Sequence, residues 1–502
     1  RKILLSIVAL LSVAQAWAQG EGFAIDGINY YIYNGQELHI TSTPDASGSV
    51  TIPFVLNING DEYHVTAIDD YAFSGCESLT SVSLNEDYGS GLTIGSGAFS
   101  GCTGLTSISF SSSVSVIGDN AFSSCTSLTS VSIPGSIGDN AFSGCTGLTS
   151  VSISANVSRI GIQAFYECTS LSSVTISETD QYNLYNWLSI GQGAFHGCTE
   201  LTSITIPKRT YSIGSNPFSN CWKLASISVA SGNSYYDSRD NCNAIIETSS
   251  NKLIAGCKNT VIPNSVTTIG DAAFHGCTCT TIEIPDNVTS IGNAAFALCE
   301  YLESLTIPAN VTAIGASLFE GSDRLSEIII PSKVVAILSK TFADCTGLTT
   351  VTIPASVESV AADAFYKCDN LAEIHLPANP DDIQFDVAVL PVPTGLLLVL
   401  VLHVGVLADR LAEGHLGLCE IDADLVLGKE LCHHDLEVQV ADAVEERLGI
   451  TLTQTNLMVP TKSVTALVGL HPTPQPGPAS TCSACTLRPH CRLRSRGITC
   501  RR

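Results

Sequence analysis

A phenylalanine recurs at positions 73, 99, 122, 142, 165, 195, 218, 274, 296, 319, 342 and 365. The steps between neighbours are 26, 23, 20, 23, 30, 23, 56, 22, 23, 23 and 23 residues. Self-similarity at a fixed period constrains the fold more than any local propensity does. A unit this short cannot bury its own apolar side, so neighbouring units must cover it. The chain is therefore expected to be a solenoid whose rungs share one elongated core.

Each unit carries an apolar triplet such as Leu348, Val351 and Ile353. It matches the L-x-x-L-x-L strand frame of leucine-rich repeats. The alternation Thr350-Val351-Thr352-Ile353 predicts a strand with one buried face. A proline without an amide hydrogen ends the ladder at Pro134, Pro207, Pro285, Pro308, Pro331, Pro354 and Pro377. A second apolar pair follows, as in Val266 and Ile269, and then the Ala-Phe core. Between Phe and the next Leu there is room for a single helical or 3₁₀ turn.

Two copies show the pattern fully: Ile137-Gly138-Asp139-Asn140-Ala141-Phe142-Ser143-Gly144-Cys145-Thr146 and Ile262-Pro263-Asn264-Ser265-Val266-Thr267-Thr268-Ile269-Gly270-Asp271-Ala272-Ala273-Phe274. On these residues the chain resembles the bacterial surface leucine-rich repeats of the BspA type, over about residues 65–377. The expected fold is a leucine-rich-repeat solenoid of the α/β horseshoe class, mostly β with short helical or 3₁₀ turns. It would be a right-handed stack of about 12–13 repeats of about 23 residues with an N-terminal β-hairpin cap. The resemblance also implies a secreted or cell-surface protein that adheres to host matrix, such as fibronectin, or to other cells.

The net charge is −24 over 502 residues, and residues 1–380 hold 13 Lys and Arg against 33 Asp and Glu. That acidity disfavours nucleic acid and anionic membrane as partners. Arg1-Lys2, the apolar run Ile3 to Val13 and the small-residue end Ala14-Gln15-Ala16-Trp17-Ala18 read as a signal peptide, residues 1–18, cleaved after Ala18. The first cysteine is Cys76, so no lipid-bearing cysteine follows the signal. The expected address is secreted or on the bacterial cell surface.

Residues 19–66 depart from the repeat and read as a β cap of two hairpins. One pairs Gly27–Tyr33 with Glu37–Thr41; the other pairs Val50–Ile58 with Tyr63–Ala67. The repeats occupy 67–379. The two longer steps insert Tyr88 in one and Tyr182, Tyr185 and Trp187 in the other. Insertions in repeat arrays often build the binding face. These aromatic tips suit a protein or glycan partner, or else fold back over the solenoid's edge. The long gap, about 230–260, reads as a hairpin about Ser249-Ser250. It sets Glu247 opposite Lys252, Ile245 opposite Ile254, and Cys242 opposite Cys257. Directly opposed cysteines are close enough for a disulfide; otherwise they are two half-buried free thiols.

Eleven of the twelve phenylalanines have a cysteine three residues later, Ser322 being the exception. One slot repeated in every rung makes a parallel column, which favours buried free thiols over bridges or a converging metal site. His196 and His275 fill a slot that other units give to Ser74, Ser100 or Ser143, so both are expected to be solvated. No nucleophile elbow, zinc-protease helix or phosphate loop occurs in 19–380. Hence no catalytic residue, cofactor or metal is assigned. Outward strand positions form a row of hydroxyls that includes Ser132, Ser152, Thr175, Thr205, Thr306 and Thr352. Such a row reads a partner by hydrogen bonds or is a soluble, β-favouring surface.

After Pro380 the composition breaks, with no Ser and one Thr from Asp381 to Ile450. Residues 380–502 are read as an atypical tail, off-frame or disordered. Its apolar run is too short for a confident span, which leaves membrane attachment open. The functional expectation is a non-catalytic surface protein that binds an extracellular protein or glycan. The alternatives are an accessory or enzymatic polysaccharide-binding protein and a purely structural spacer.

Overall fold

A computed structural model describes residues 22–84, 91–178, 187–377 and 383–385. The described residues fall into two units, one ending at Leu302 and the other beginning at Glu303.

In the first unit the alternating segments build two parallel ladders. One runs from Glu37–Ile40 through Asp61–Ile68, Leu92–Ile94, Val114–Ile117, Ser136–Ile137, Arg159–Ile160 and Leu188–Ile190 to Thr210–Ile213. The other ladder is made of the serine- and threonine-rich strands. Ser130–Ile133, Ser150–Ile153 and Ser173–Ile176 pair residue for residue, Val131 beside Val151 beside Val174. Parallel strands need a crossover, and here the rest of each repeat supplies it. Outside the island about 230–260, the third part of each rung is a tight turn carrying the phenylalanine.

The rings form the expected column. Phe73, Phe99, Phe122, Phe142, Phe165, Phe195 and Phe218 stack face to face at 4.9 to 5.7 Å, with successive planes within 17°. The adjoining strands, about 4.8 Å apart, bring successive rings to nearly this separation. One contiguous buried cluster runs from Phe23 to Cys257.

The turns are not helical. In the repeat around Phe122, Asn120 (φ 56°) and Ser124 (φ 61°) are both left-handed, and Gln163 and Glu167 flank Phe165 in the same way. A left-handed residue on each side prevents consecutive helical hydrogen bonds. Local bonds such as Cys125 N–H to Phe122 O (3.2 Å) close single turns instead. Glycine fills the second of these positions at Gly75, Gly101, Gly144 and Gly197, where it carries no Cβ penalty. The one 3₁₀ segment among the described residues is Arg239–Asn241, in the island about 230–260.

Turns bond to the next rung through the backbone. The N–H groups of Phe99, Phe122 and Phe142 donate to the carbonyls of Ala121, Ala141 and Ala164 at 2.7 to 2.8 Å. The close approach requires glycine elsewhere in the rung: a Cβ on Gly161 would lie 2.1 Å from Gly138 O.

At the N-terminus Ile28–Asn34 pairs antiparallel with Glu37–Ile40, and Val55–Ile58 with Asp61–Ile68, as two hairpins. Phe23–Ile25 adds a third strand to the first hairpin. The expected strand 50–58 is broken. Pro53 has no N–H to donate, so Gly48–Ile52 ends there and pairs in parallel with Leu79–Leu84 as an early rung of the serine-rich ladder.

The island about 230–260 rejoins the solenoid. Ile245–Glu247 pairs antiparallel with Lys252–Ala255, which then pairs in parallel with Thr268–Ile269. Gly256 takes the phenylalanine's bonding position, donating to Ala273 O at 2.8 Å. The ring of Phe274 lies where its Cβ would stand, 2.2 Å away.

In the second unit Glu327–Ile329, Thr350–Thr352 and Glu373–His375 form one parallel ladder, and Ala336–Ile337, Ser359–Val360 and Gln384–Phe385 the other. Phe319, Phe342 and Phe365 stack at 5.7 and 5.2 Å. Among the described residues no helix is long and apolar enough to cross a membrane.

Candidate partner-binding site

Three exposed aromatic rings meet on the first unit. Trp187 lies edge-on to Tyr235 at 5.8 Å and 90°, and Tyr211 packs against Tyr235 at 6.5 Å and 71°. They are 40, 45 and 44 % exposed for Trp187, Tyr211 and Tyr235, high values for rings already in mutual contact.

Each ring is placed by a different local device. Trp187 immediately precedes the strand Leu188–Ile190, which Leu188 anchors with a bond from its N–H to Arg209 O at 3.0 Å. Tyr211 owes its position to a bulge. Leu188 pairs with Thr210 and Ser189 with Ser212, so Tyr211 has no counterpart on the neighbouring strand. Bulges re-aim a side chain in this way.

Tyr235 is held by a loop. Asn233 Oδ1 accepts from the N–H groups of Tyr235 and Tyr236 at 2.8 and 2.9 Å, and its Nδ2 donates to Pro207 O and Thr210 O at 3.0 and 2.9 Å. That single side chain ties the loop to the strand bearing Tyr211. The adjacent Tyr236 is buried and its hydroxyl accepts from Ile213 N–H at 3.0 Å. Alternation then sends Tyr235 outward.

Two residues before Tyr211, Arg209 is buried, and its guanidinium donates to Val157 O (2.6 Å), Ser154 O (3.2 Å) and Ser177 O (3.4 Å). Burial pulls its pKa down, with Glu178 opposing the shift. Arg239 holds Asp237 at 2.7 Å, Glu247 accepts from Ser250, and Lys252 stands across from Glu247.

The hydroxyl row lies on the other ladder. Ser132, Ser152 and Thr175 are consecutive and exposed, and Thr205 bonds Ser228 at 3.0 Å. Thr306 and Thr352 belong to the second unit, where Ile329, 61 % exposed, interrupts the row beside Thr352. The row and the aromatic cluster are thus on different sheets. Tyr88, Tyr182 and Tyr185 lie outside the described residues.

Two expectations are corrected. Cys242 and Cys257 are separate free thiols, both buried. A register shift after Ile245 sets Ala255, not Ile254, opposite it, which undoes the expected facing of the two cysteines. Their sulfurs lie instead 3.8 Å from Ala244 O and 3.3 Å from Asn243 O. His196 and His275 are half-buried, not solvated. His196 stacks on Tyr166 at 5.0 Å, and its Nε2 lies 3.4 Å from Asn220 Nδ2. Burial lowers its pKa, and Glu167 partly offsets that.

A cavity of about 20 Å³ lies where the phenylalanine column is interrupted, lined in part by Phe218, Gly256, Cys257 and Phe274. It holds about one water molecule and is far too small for an organic ligand. Among the described residues no group of three or more His, Cys, Asp or Glu side chains is placed to hold a metal ion.

The sequence matches the model of the BspA type leucine-rich repeat region in six copies, over residues 57–137, 182–252 and 267–387. The chain belongs to this family. A leucine-rich cell surface protein from Faecalibacterium prausnitzii A2-165 is 29% identical, with a TM-score of 0.60, over 73% of this chain and 98% of that one. The pneumococcal vaccine antigen PcpA shares the fold at 17% identity and TM-score 0.53, over 74% of this chain and 99% of PcpA. A leucine-rich repeat protein from Eubacterium ventriosum ATCC 27560 does so at 21% and 0.50, over 72% of this chain and 84% of its own. No curated protein matches the chain.

Proposed function

We propose that this is a non-catalytic cell-surface protein that binds an extracellular partner, protein or glycan, through the edge carrying Trp187, Tyr211 and Tyr235. The observation that carries the reading is that three exposed rings are held together by fixed backbone. Preorganised aromatics give large contact area without an ordering cost on binding. The hydroxyl row at Ser132, Ser152, Thr175 and Thr205 is an accessory surface in this reading, as are Thr306 and Thr352 on the second unit. Tyr88, Tyr182 and Tyr185 remain proposed contributors. Surface location is supported by the family and by the cell surface protein from Faecalibacterium prausnitzii.

The test applies the full chain and its Trp187→Ala/Tyr235→Ala variant to arrays of matrix proteins and glycans. The reading expects a partner that retains the wild type and releases the variant. Equal retention of both removes the cluster from the account.

A further inference from the structure

We infer that the ligand class of the Trp187–Tyr211–Tyr235 cluster is a neutral saccharide, an inference that rests on the partner-binding reading above. Three observations converge on it.

The first is ring geometry. Perpendicular contacts of 90° and 71° mean that no two of the three faces are stacked on one another, and each ring keeps 40 to 45 % of its surface exposed. Faces left open to solvent suit a ligand that presents flat patches of C–H groups, as a pyranose does. An apolar protein side chain would instead need a pit to enter, and fully desolvated pockets are what make protein hot spots.

The second is charge. The cation beside the loop, Arg239, is bound to Asp237 and also donates to Asn251 Oδ1 at 2.8 Å. Glu247 is engaged by Ser250 and faced by Lys252. The rest of the surface is acidic, with 33 carboxylates against 13 cations in residues 1–380. A sulfated or uronate polymer would meet repulsion, because the exposed guanidinium on the neighbouring strand, Arg159 beside Ser189, is already committed to Asp139. A neutral ligand meets none.

The third is the supply of uncharged hydrogen-bonding groups around the rings. Tyr211 and Tyr235 carry phenol hydroxyls, and Ser189 and Ser212 lie on the same paired strands. Hydroxyls that both donate and accept match the hydroxyls of a sugar.

The experiment is calorimetry on the full chain with neutral oligosaccharides of glucose, galactose, mannose and N-acetylglucosamine. Sulfated and uronate oligomers form a second arm, and a matrix-protein panel a third. Tyr211→Ala and Tyr211→Phe are run beside the wild type, with melting temperatures matched. The inference expects a neutral oligosaccharide to bind, to weaken about tenfold or more in Tyr211→Ala, and to weaken less in Tyr211→Phe, which keeps the ring and loses only the hydroxyl. Preference for the anionic arm overturns it. Saccharide binding indifferent to Tyr211→Ala overturns the location. A matrix protein that binds through Tyr211 while every saccharide fails overturns the saccharide and leaves the partner site standing. No binding in any arm overturns both.

Discussion

The thiol of Cys145 donates to the carbonyl oxygen of Phe122, in the rung before its own, at 3.1 Å. The same bond joins Cys102 to Phe73, Cys125 to Phe99, Cys168 to Phe142 and Cys198 to Phe165, at 3.0 to 3.2 Å. The cysteine column is thus a donor column. A small, weakly polar thiol satisfies a buried carbonyl at little desolvation cost. Burial pushes the thiols of Cys102, Cys168 and Cys221 up to about 12. All fourteen cysteines of the described residues are buried, out of reach of the reagent, and should resist iodoacetamide at about pH 8 in the folded protein. Peptide mapping should find Cys242 and Cys257 alkylated without reductant once the chain is unfolded. A bridged peptide would contradict the free-thiol assignment.

Phe165 stacks between Phe142 and Phe195 at 5.4 and 5.3 Å and is fully buried. Phe165→Ala should cost about 3–5 kcal/mol, because close neighbours on both sides cannot collapse into the cavity. Denaturant melts of the two proteins measure it.

Arg209, two residues before Tyr211, is buried and donates to three backbone carbonyls. Arg209→Met leaves buried carbonyls without their donor and should cost about 2 kcal/mol or more. Arg209→Lys should restore only part of that, since one ammonium cannot reproduce the planar fork. Melting temperatures of the two variants report the difference.

Acid should destabilise the rung at His196. Burial lowers its folded pKa below the ordinary value. The unfolded chain takes up the proton first, at about pH 6.5, so stability is full above that pH and declines as pH falls towards the folded value. His196→Phe keeps the stack on Tyr166 and removes the titration. Its melting temperature should fall less than that of the wild type between about pH 7.5 and 5.5.

What was legible in the sequence was whatever repeats. The ring column, the serine- and threonine-rich ladder and the parallel cysteines follow from one spacing, because each rung sees the same neighbours. The aromatic cluster was legible only at Trp187, which stands at the end of an insertion. Tyr211 is exposed by a bulge, a one-residue slip that no alternation pattern announces. Tyr235 is placed by Asn233, whose bonds reach back to Pro207 and Thr210. The contact from Arg209 to Val157 spans 52 residues of chain. Periodicity says nothing about such one-off, long-range bonds. The same limit explains Cys242 and Cys257, where a local bulge displaced the register a symmetric hairpin suggested.

The shared core on which the site rests is tested most directly by native-state amide hydrogen exchange in the turns. The N–H groups of Phe99, Phe122, Phe142 and Phe165 donate to Ala121, Ala141, Ala164 and Ala194 in the following rung. They should be among the slowest-exchanging amides in the chain, opening only when adjoining rungs separate. Fast exchange at these four amides, at the rate of solvent-exposed turns, would contradict a solenoid held together through its phenylalanine column.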